Sequence, residues 1–330
     1  MNGITVRPFR REDENGVMSV WNACVDAGDV LYYPLTGEYF ERKFLLGDGC
    51  EAENLLIAET EGQIAGFIHG VAPGTFALAR PGCAYLTCVM TAPSFRGRGI
   101  GKALLSALKA RMKERKAHTL YISSLNPVNL DWRIPGTPGH DHNNMPGLDT
   151  GCAGYGFFPA RGFQEKYREV SLYMNLSDYR VPPEVPEIQN RLSAEGIYTG
   201  PYDAAWDCAF DGMCDRVGSE YWRKVLKDEL SSPAPRPILA ARCDGHIVGF
   251  TGPVDVEASG RGWFTGICTD PLYEQRGIAT VLFNDLMNEF IRVGARYSSL
   301  FTGTENHAQR LYLKTGFRPA KTFAMLKKEL

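Results

Sequence analysis

Apolar residues recur with the spacing of an α-helix in two segments of the chain. In each segment they stand at positions i, i+4, i+5, i+8 and i+12, and the positions between them are mostly polar or small. A pattern of this kind predicts an amphipathic helix that buries one face against a core. The two predicted faces consist of Ile100, Leu104, Leu105, Leu108 and Met112, and of Ile278, Leu282, Phe283, Leu286 and Phe290.

Strand-like runs flank each predicted helix. Upstream, residues 56–67 and 239–250 each contain two such runs, joined by an acidic residue and a glycine at Glu61-Gly62 and Asp244-Gly245. That pair of residue types favours the tight turn of a β-hairpin. Single strands are predicted immediately before and after each helix, at Leu86–Thr91 and Thr119–Ser124, and at Gly266–Thr269 and Ser298–Thr302.

These elements form an internal repeat. The hairpin glycines are 183 residues apart (62 and 245), the helix starts are 178 apart (100 and 278), and a closing Gly-Phe pair recurs 154 apart (162 and 316). The first copy therefore carries 24 extra residues between helix and closing pair (178 − 154). They lie within about 126–152, a run rich in Pro, Gly, Asn and His that shows no periodicity.

The chain has 330 residues, enough for two domains that each bury a core. Three prolines within Val181–Pro186 disfavour both helix and strand. We therefore predict an N-terminal domain at 1–180, a Pro-rich linker at 181–192 and a C-terminal domain at 193–330. The order of elements in each half predicts an α/β (α+β) fold, with a mixed, largely antiparallel sheet and helices on both faces, duplicated in tandem.

Each predicted helix begins at a loop suited to binding an anion. Pro93–Gly101 recurs as Pro271–Ala279, with a proline, an aromatic residue, charged residues and a glycine turn before the helix. Free backbone N–H groups at a helix N-terminus, together with the helix dipole, bind phosphate groups. The glycine spacing fits neither a Walker-type loop, where Arg96 replaces the first glycine, nor the dinucleotide fingerprint G-x-G-x-x-G.

Composition narrows the class of protein. Lys and Arg total 36 against 38 Asp and Glu, which argues against nucleic acid as a partner. No apolar run reaches the roughly 20 residues of a membrane span, and nine cysteines without a C-x-x-C pair indicate reduced thiols. These features predict a cytoplasmic protein. His140-Asp-His142 lacks further ligands at useful spacing, so we predict no metal site.

With loop, hairpin and closing Gly-Phe in order, the chain resembles a tandem member of the GNAT acetyltransferase superfamily. Arg96-x-x-Gly99-x-Gly101 matches that family's [QR]-x-x-G-x-[GA] loop. The resemblance implies acetyl-coenzyme A as co-substrate, bound by the loops and the strands that precede them. The implied contact residues are Met90, Thr91, Arg96, Gly97, Arg98, Gly99, Ile100, Gly101 and Lys102, and Cys268, Thr269, Gln275, Arg276, Gly277, Ile278, Ala279 and Thr280.

By the same resemblance, Tyr312 is the hydroxyl that acts on the leaving thiolate and Asn306 the amide that contacts the pantetheine arm. The first half has Phe158 where that tyrosine should stand, and phenylalanine cannot donate a proton. The second half has Glu274 where the loop should carry Arg or Gln. We therefore expect catalysis in the C-terminal half, with the N-terminal half binding coenzyme A or serving as a scaffold.

The resemblance implies an N-acetyltransferase that moves an acetyl group from acetyl-coenzyme A to the primary amine of a small molecule, by direct attack in a ternary complex. Candidates for shaping the acceptor pockets are Asn143–Asp149, Tyr32–Pro34, Glu38–Glu41, Asp211, Glu220, Tyr221 and Trp222. Three alternatives stay open: a non-catalytic coenzyme A sensor, catalysis in the N-terminal half, and transfer of a longer acyl group. The acceptor, the general base and the oligomeric state are not defined by the sequence.

Overall fold

The computed structural model describes residues 3–77, 79–204 and 210–330, which form two compact units. The first comprises Met1–Ser171 and Ala320–Leu330, and the second comprises Leu172–Pro319. Each combines helices with a mixed, mostly antiparallel sheet, so the predicted fold class and its duplication are confirmed. The units differ from the predicted bounds because the last residues of the chain belong to the first unit.

The elements that begin in the first unit follow the predicted order, with short strands added in the insertion. They are β1 (Thr5–Pro8), α1 (Glu14–Asp26), α2 (Gly37–Phe40), β2 (Leu55–Thr60), β3 (Gln63–Val71), β4 (Cys83–Thr91), α3 (Ile100–Glu114), β5 (Thr119–Ile122), β6 (Trp132–Arg133), β7 (Asp141–His142), β8 (Leu148–Asp149) and β9 (Gln164–Asn175). Two short helical turns at Tyr155–Phe157 and Pro159–Arg161 precede β9.

The elements of the second unit repeat this order after an additional helix. They are α4 (Glu184–Ala194), β10 (Ile197–Pro201), α5 (Asp211–Val217), α6 (Glu220–Leu230), β11 (Leu239–Cys243), β12 (His246–Gly252), β13 (Asp255–Val256), β14 (Arg261–Trp263), β15 (Gly266–Thr269), α7 (Ile278–Arg292), β16 (Tyr297–Gly303), α8 (Gln309–Lys314) and β17 (Arg318–Glu329), which enters the first unit at Ala320.

Strand pairing reproduces the internal repeat residue by residue. In the first unit β1, β2, β3 and β4 pair in antiparallel order, β4 then pairs parallel with β5, and β5 pairs with the end of β17. In the second, β10, β11, β12 and β15 pair antiparallel, and β14 pairs parallel with β16. Gly66 pairs with Thr91, and Gly249 with Thr269, at the predicted offsets of 183 and 178.

Both predicted hairpin turns form as the sequence indicates. Glu61 and Gly62 have φ values of 54° and 72°, and Asp244 and Gly245 have 49° and 74°. Two consecutive residues with positive φ are typical of the hairpin turn that matches the twist of the flanking strands. Glycine is favoured in the second position because it has no Cβ to clash in this conformation.

The two predicted helix faces form the centres of the cores. Every residue of both faces is at most 1% exposed. A glycine on the facing strand lets each helix approach closely. A Cβ at Gly66 would lie 3.1 Å from Ile100 Cγ2, and a Cβ at Gly249 would lie 3.0 Å from Ile278 Cγ2.

The predicted linker is helical over most of its length. Helix α4 begins at Glu184, and Pro186 lies in its first turn, where a backbone N–H has no intrahelical acceptor and its loss costs little. Val185 and Leu192 are buried and anchor this helix. In the part of the chain that the structure describes, no helix is both long and apolar enough to cross a membrane.

The neutral state of His69 should contribute to stability. This residue of β3 is fully buried, its Nδ1 lies 2.9 Å from Thr87 Oγ1, and burial lowers its pKa to about 3. The unfolded chain binds this proton near pH 6.5, so stability is present above that pH and is lost as pH falls towards 3. We expect His69→Asn to flatten the decrease in melting temperature between pH 7 and about pH 4.

The control is His118→Asn, which changes an exposed histidine. It should leave the slope of melting temperature against pH as in the parent protein. Equal slopes for His69→Asn and the parent would contradict a neutral buried imidazole at this position.

Candidate active site

The site of the first unit begins where β4 separates from β5. β4 pairs with β3 as far as Thr91, but it pairs with β5 only at Cys83–Tyr85. The register with β3 shifts between His69 and Gly70, which leaves Thr87 as an extra, bulged residue. Alternate backbone groups of Leu86–Thr91 therefore face a cavity rather than a second strand, and all six residues line it.

The loop after β4 presents backbone N–H groups at the same cavity. Pro93–Phe95 form a helical turn, and Gly97 and Gly99 have φ values of 74° and 88°. The first bond within α3 runs from Ala103 N to Gly99 O at 3.0 Å, so the amides before Ala103 have no helical acceptor. A Cβ at either glycine would meet nothing within 4 Å, which leaves this face of the loop open to a ligand.

The cavity has a volume of about 630 Å³, within the range of small-ligand sites. Most of the predicted cofactor-binding residues of the first half line this cavity. The segment after α1 and the end of the insertion form the rest of its wall. The predicted residues on its wall are Met90, Thr91, Arg96, Gly97, Gly99, Ile100, Gly101 and Lys102. Arg98 is not among the lining residues, and it pairs with Glu61 at 3.1 Å.

Arg96 connects the loop to the segment that follows α1. Its Nη2 lies 2.7 Å from Asp29 Oδ2, and its Nε donates to Thr91 O at 3.3 Å. The hydrogen bond to Asp29 raises the pKa of Arg96, so the guanidinium stays charged. Arg161 also lines the cavity, with its guanidinium 3.7 Å from the centre of the Phe157 ring. These cations and the loop amides make this part of the cavity suited to anions.

The remaining wall comes from Tyr32 and the insertion. Tyr32 Oη lies 3.2 Å from Met145 Sδ, and burial raises the pKa of Tyr32 well above its usual value. Its phenol therefore stays neutral and can donate a hydrogen bond. Phe158, at the position of the expected tyrosine, also lines the cavity and packs against Phe163 with ring centres 5.3 Å apart.

The second loop has the same backbone conformation as the first. Gln275 and Gly277 have φ values of 62° and 96°, and Val281 N donates to Gly277 O at 3.1 Å. Ile278, Ala279 and Thr280 form the first turn of α7. Gln275 thus keeps the left-handed conformation of Gly97 although it carries a side chain.

Helix α4 covers this second loop. A Cβ at Gly277 would lie only 2.6 Å from Ile188 Cγ2. Arg191 Nη2 donates to Arg276 O at 3.0 Å, and Arg276 Nη1 pairs with Glu195 at 3.1 Å. The side of the loop that is open in the first unit is therefore in contact with protein in the second.

The strand before the second loop, β15, and the residue after it contact other residues of the second unit. Burial raises the pKa of Cys268 to about 12, and its Sγ lies 4.0 Å from Met213 Sδ, so this thiol packs as an apolar group. Thr269 is half-buried at the end of β15. Asp270 follows as a fully buried carboxylate that accepts a hydrogen bond from Arg216 Nε at 2.9 Å.

Tyr312 and Asn306 have different environments. Tyr312 is 8% exposed and packs against Phe283 and Phe317, with ring centres 4.9 and 6.4 Å away. Burial raises the pKa of Tyr312. Asn306 is exposed, and its Oδ1 accepts from Ala308 N at 2.9 Å, in a local turn before α8. A catalytic role for either residue stays a prediction.

Several lining residues were not found from the sequence as site residues, among them Cys24, Asp29 and Arg161. No motif marks them, because they lie in α1, in the segment after it and in the helical turn at Pro159–Arg161, which only the folded chain brings to the cavity. His142, considered as a metal ligand, is buried with its Nδ1 3.3 Å from Asn144 N. Within residues 3–77, 79–204 and 210–330, no three potential metal-ligating side chains cluster together.

Comparison with solved structures supports the fold. A fungal multi-domain β-N-acetylglucosaminidase, described with a glucosamine N-acetyltransferase region, matches 99% of this chain at a TM-score of 0.67 and 17% identity, and this chain spans 38% of its length. A GCN5-related N-acetyltransferase from Sphaerobacter thermophilus matches at 0.62 and 19%, covering 99% of this chain and 95% of that one. A tandem GNAT protein of the clavulanic acid pathway matches at 0.56 and 14%, covering 99% and 98%.

Comparison of sequences identifies the family. An acetyltransferase of Pectobacterium atrosepticum is 31% identical over 120 residues, which are 36% of this chain and 74% of that protein. The model of the acetyltransferase (GNAT) family matches residues 23–131 and again residues 201–317, together more than half of the chain. The protein belongs to the GNAT acetyltransferase family and contains two copies of its domain.

Proposed function

We propose that the first unit binds acetyl-coenzyme A and transfers its acetyl group to the primary amine of a small molecule. The observation that carries this proposal is the contrast between the two loops. The loop at Gly97–Gly101 opens into a cavity of about 630 Å³ that continues along the free edge of β4. In the equivalent loop of the second unit, Ile188 and Arg191 of α4 contact Gly277 and the carbonyl of Arg276, while Gln275 is exposed.

The residues of the first cavity fit coenzyme A. Its pyrophosphate is an anion that the amides before Ala103 can bind, with Arg96 and Lys102 on the same wall. Its pantetheine arm carries amide groups, and the unpaired edge of Leu86–Thr91 offers backbone groups to hydrogen-bond them in the manner of an added strand. The largely apolar wall beyond Thr87 suits the thioester end.

Acetyl-coenzyme A supplies an acyl group activated as a thioester. A neutral amine attacks the carbonyl carbon, the carbon–sulfur bond breaks, and the proton lost by the amine ends on the departing sulfur, so the chain must stabilise the charge that develops during the transfer. A backbone N–H on the free edge beside the Thr87 bulge is positioned to donate to the developing oxyanion. Tyr32 provides a neutral hydroxyl on the cavity wall for the departing sulfur. Tyr32 thus supplies the hydroxyl that is missing at Phe158.

This proposal places catalysis in the half opposite to that expected from Tyr312. The support is that Tyr32 lines the open cavity of the first unit, whereas the loop in the unit of Tyr312 is in contact with α4. A buried tyrosine in an aromatic cluster contributes to packing whether or not it has a catalytic role. The sensor alternative remains distinct, because a sensor binds coenzyme A at this cavity without turnover.

The first prediction compares equivalent positions of the two loops. Gly97 and Gln275 both have positive φ, a conformation that aspartate tolerates better than most residues. Gly97→Asp places a carboxylate beside the bound pyrophosphate and should weaken coenzyme A binding by about tenfold or more. Gln275→Asp makes the same change at the covered loop and should alter affinity by less than about twofold. Isothermal titration calorimetry measures both, and the reverse order of effects would assign binding to the second unit.

The number of coenzyme A molecules bound provides a second prediction. Because α4 covers the loop at Gly277, we expect one molecule per chain at saturation. Equilibrium dialysis with excess coenzyme A measures this ratio directly. Two molecules per chain would mean that α4 moves away or that the ligand approaches the second loop differently.

The third prediction concerns the hydroxyl of Tyr32. Tyr32→Phe should lower kcat by about tenfold while leaving coenzyme A affinity unchanged, because only the donor to the departing sulfur is removed. Its matched control is Tyr33→Phe, which removes a neighbouring hydroxyl that donates to Gly139 O and does not line the cavity. Tyr312→Phe is measured beside them. A loss of turnover with Tyr312→Phe alone would return catalysis to the second unit.

A further inference from the structure

The insertion places a single carboxylate on the wall of the cavity. Asp149 ends β8, which pairs with β17 at Phe323 and Ala324. The residue is 9% exposed, so its carboxylate is largely removed from solvent, yet it lines the cavity. A buried carboxylate requires compensating partners, which makes this position costly unless the charge is used.

Two groups of the chain hold Asp149 in place. Its Oδ1 accepts from Gly151 N at 2.8 Å, and its Oδ2 pairs with Lys321 Nζ at 2.9 Å. A carboxylate offers about four acceptor positions, so a ligand can still bind to it.

Charge is distributed unevenly along the cavity. The cations on its wall are Arg96, Lys102 and Arg161, and the other carboxylate, Asp29, is paired with Arg96. Asp149 is likewise paired, with Lys321, but Lys321 does not line the cavity. Burial raises the pKa of Tyr32, and the charge of Asp149 adds to this rise. The cavity thus has a cationic region at the loop and an anionic group near the hydroxyl of Tyr32.

Apart from its partner Lys321, the side chains that line the cavity beside Asp149 are uncharged. Met145, Leu148, Cys88 and Cys152 line this region with apolar or weakly polar side chains. Such a wall favours a ligand with an apolar body, while Asp149 favours a positive group on it and disfavours a carboxylate.

We propose that Asp149 is a specificity-determining residue that binds a cationic group of the acceptor, distinct from the amine that is acetylated. The acceptor class is therefore a small amine with an apolar chain and a second, positively charged group. This inference rests on the proposed function, because it assumes that the acceptor enters the first cavity. Lys321 is the positioning residue that keeps the carboxylate oriented.

The test compares three acceptors of the same five-carbon chain: a diamine, an amino alcohol and an amino acid. Each offers a primary amine at one end, and the far end is a second, cationic amine, a neutral hydroxyl or an anionic carboxylate. Because either amine of the diamine can react, its kcat/KM is halved before the comparison. We expect the parent protein to show the highest kcat/KM for the diamine and the lowest for the amino acid. Asp149→Asn should raise KM for the diamine by about tenfold and change kcat little, since a hydrogen bond to a charged group is lost.

The matched control is Asp141→Asn, which changes another carboxylate of the insertion that does not line the cavity and should keep the parent preference. Equal kcat/KM for all three acceptors in the parent would overturn the inference without any variant. An equal loss for all three acceptors in Asp149→Asn would also overturn it, because Asp149 would then act on the reacting amine. If instead the parent protein acetylates no amine and Gly97→Asp leaves coenzyme A affinity unchanged, the proposed function itself fails.

Discussion

Beyond Tyr85, β4 has a hydrogen-bonding neighbour on one edge only, and the rest of the site depends on that separation. The strand is fixed on its other side by β3, and β5 is fixed by the end of β17, so the gap between β4 and β5 is held open from both sides. Unpaired backbone groups inside a protein require partners. A ligand with amide groups can provide them, and the loop that begins α3 lies at the end of the same strand.

The second unit shows that this backbone arrangement alone does not make a site. Its strand divides in the same way, since β14 pairs with β16 while β15 pairs with β12, and its loop has the same signs of φ. The difference is what lies against the loop. Helix α4 precedes β10, whereas β1 is the first element among the residues that the structure describes in the first unit. Duplication thus supplies two frameworks, and one of them is closed by an added helix.

The features that were predicted correctly from the sequence are those that depend on the local residue pattern and its spacing. The structure contains both helix faces, the hairpin turns at Glu61 and Asp244, and the loop that repeats after 178 residues. Each of these features depends on residues that are close together in the chain. The enclosure of Tyr312 was not predictable, because a motif gives a residue type and not its neighbours. Asp149 and Lys321 are 172 residues apart, so no local signal links them. The helix at Glu184–Ala194 was missed because its prolines fall before and within the first turn, where helices accept them.

The sequence led us to expect catalysis in the second half, whereas the proposed active site lies in the first unit. Protection of the backbone amides shows directly which of the two loops binds the co-substrate. Hydrogen–deuterium exchange with and without coenzyme A measures protection of residues 97–102 and 275–280 in the same molecule. If coenzyme A binds to the first unit, exchange becomes slower at 97–102 and does not change at 275–280, where α4 already lies against the loop. Protection confined to 275–280 would contradict binding to the first unit.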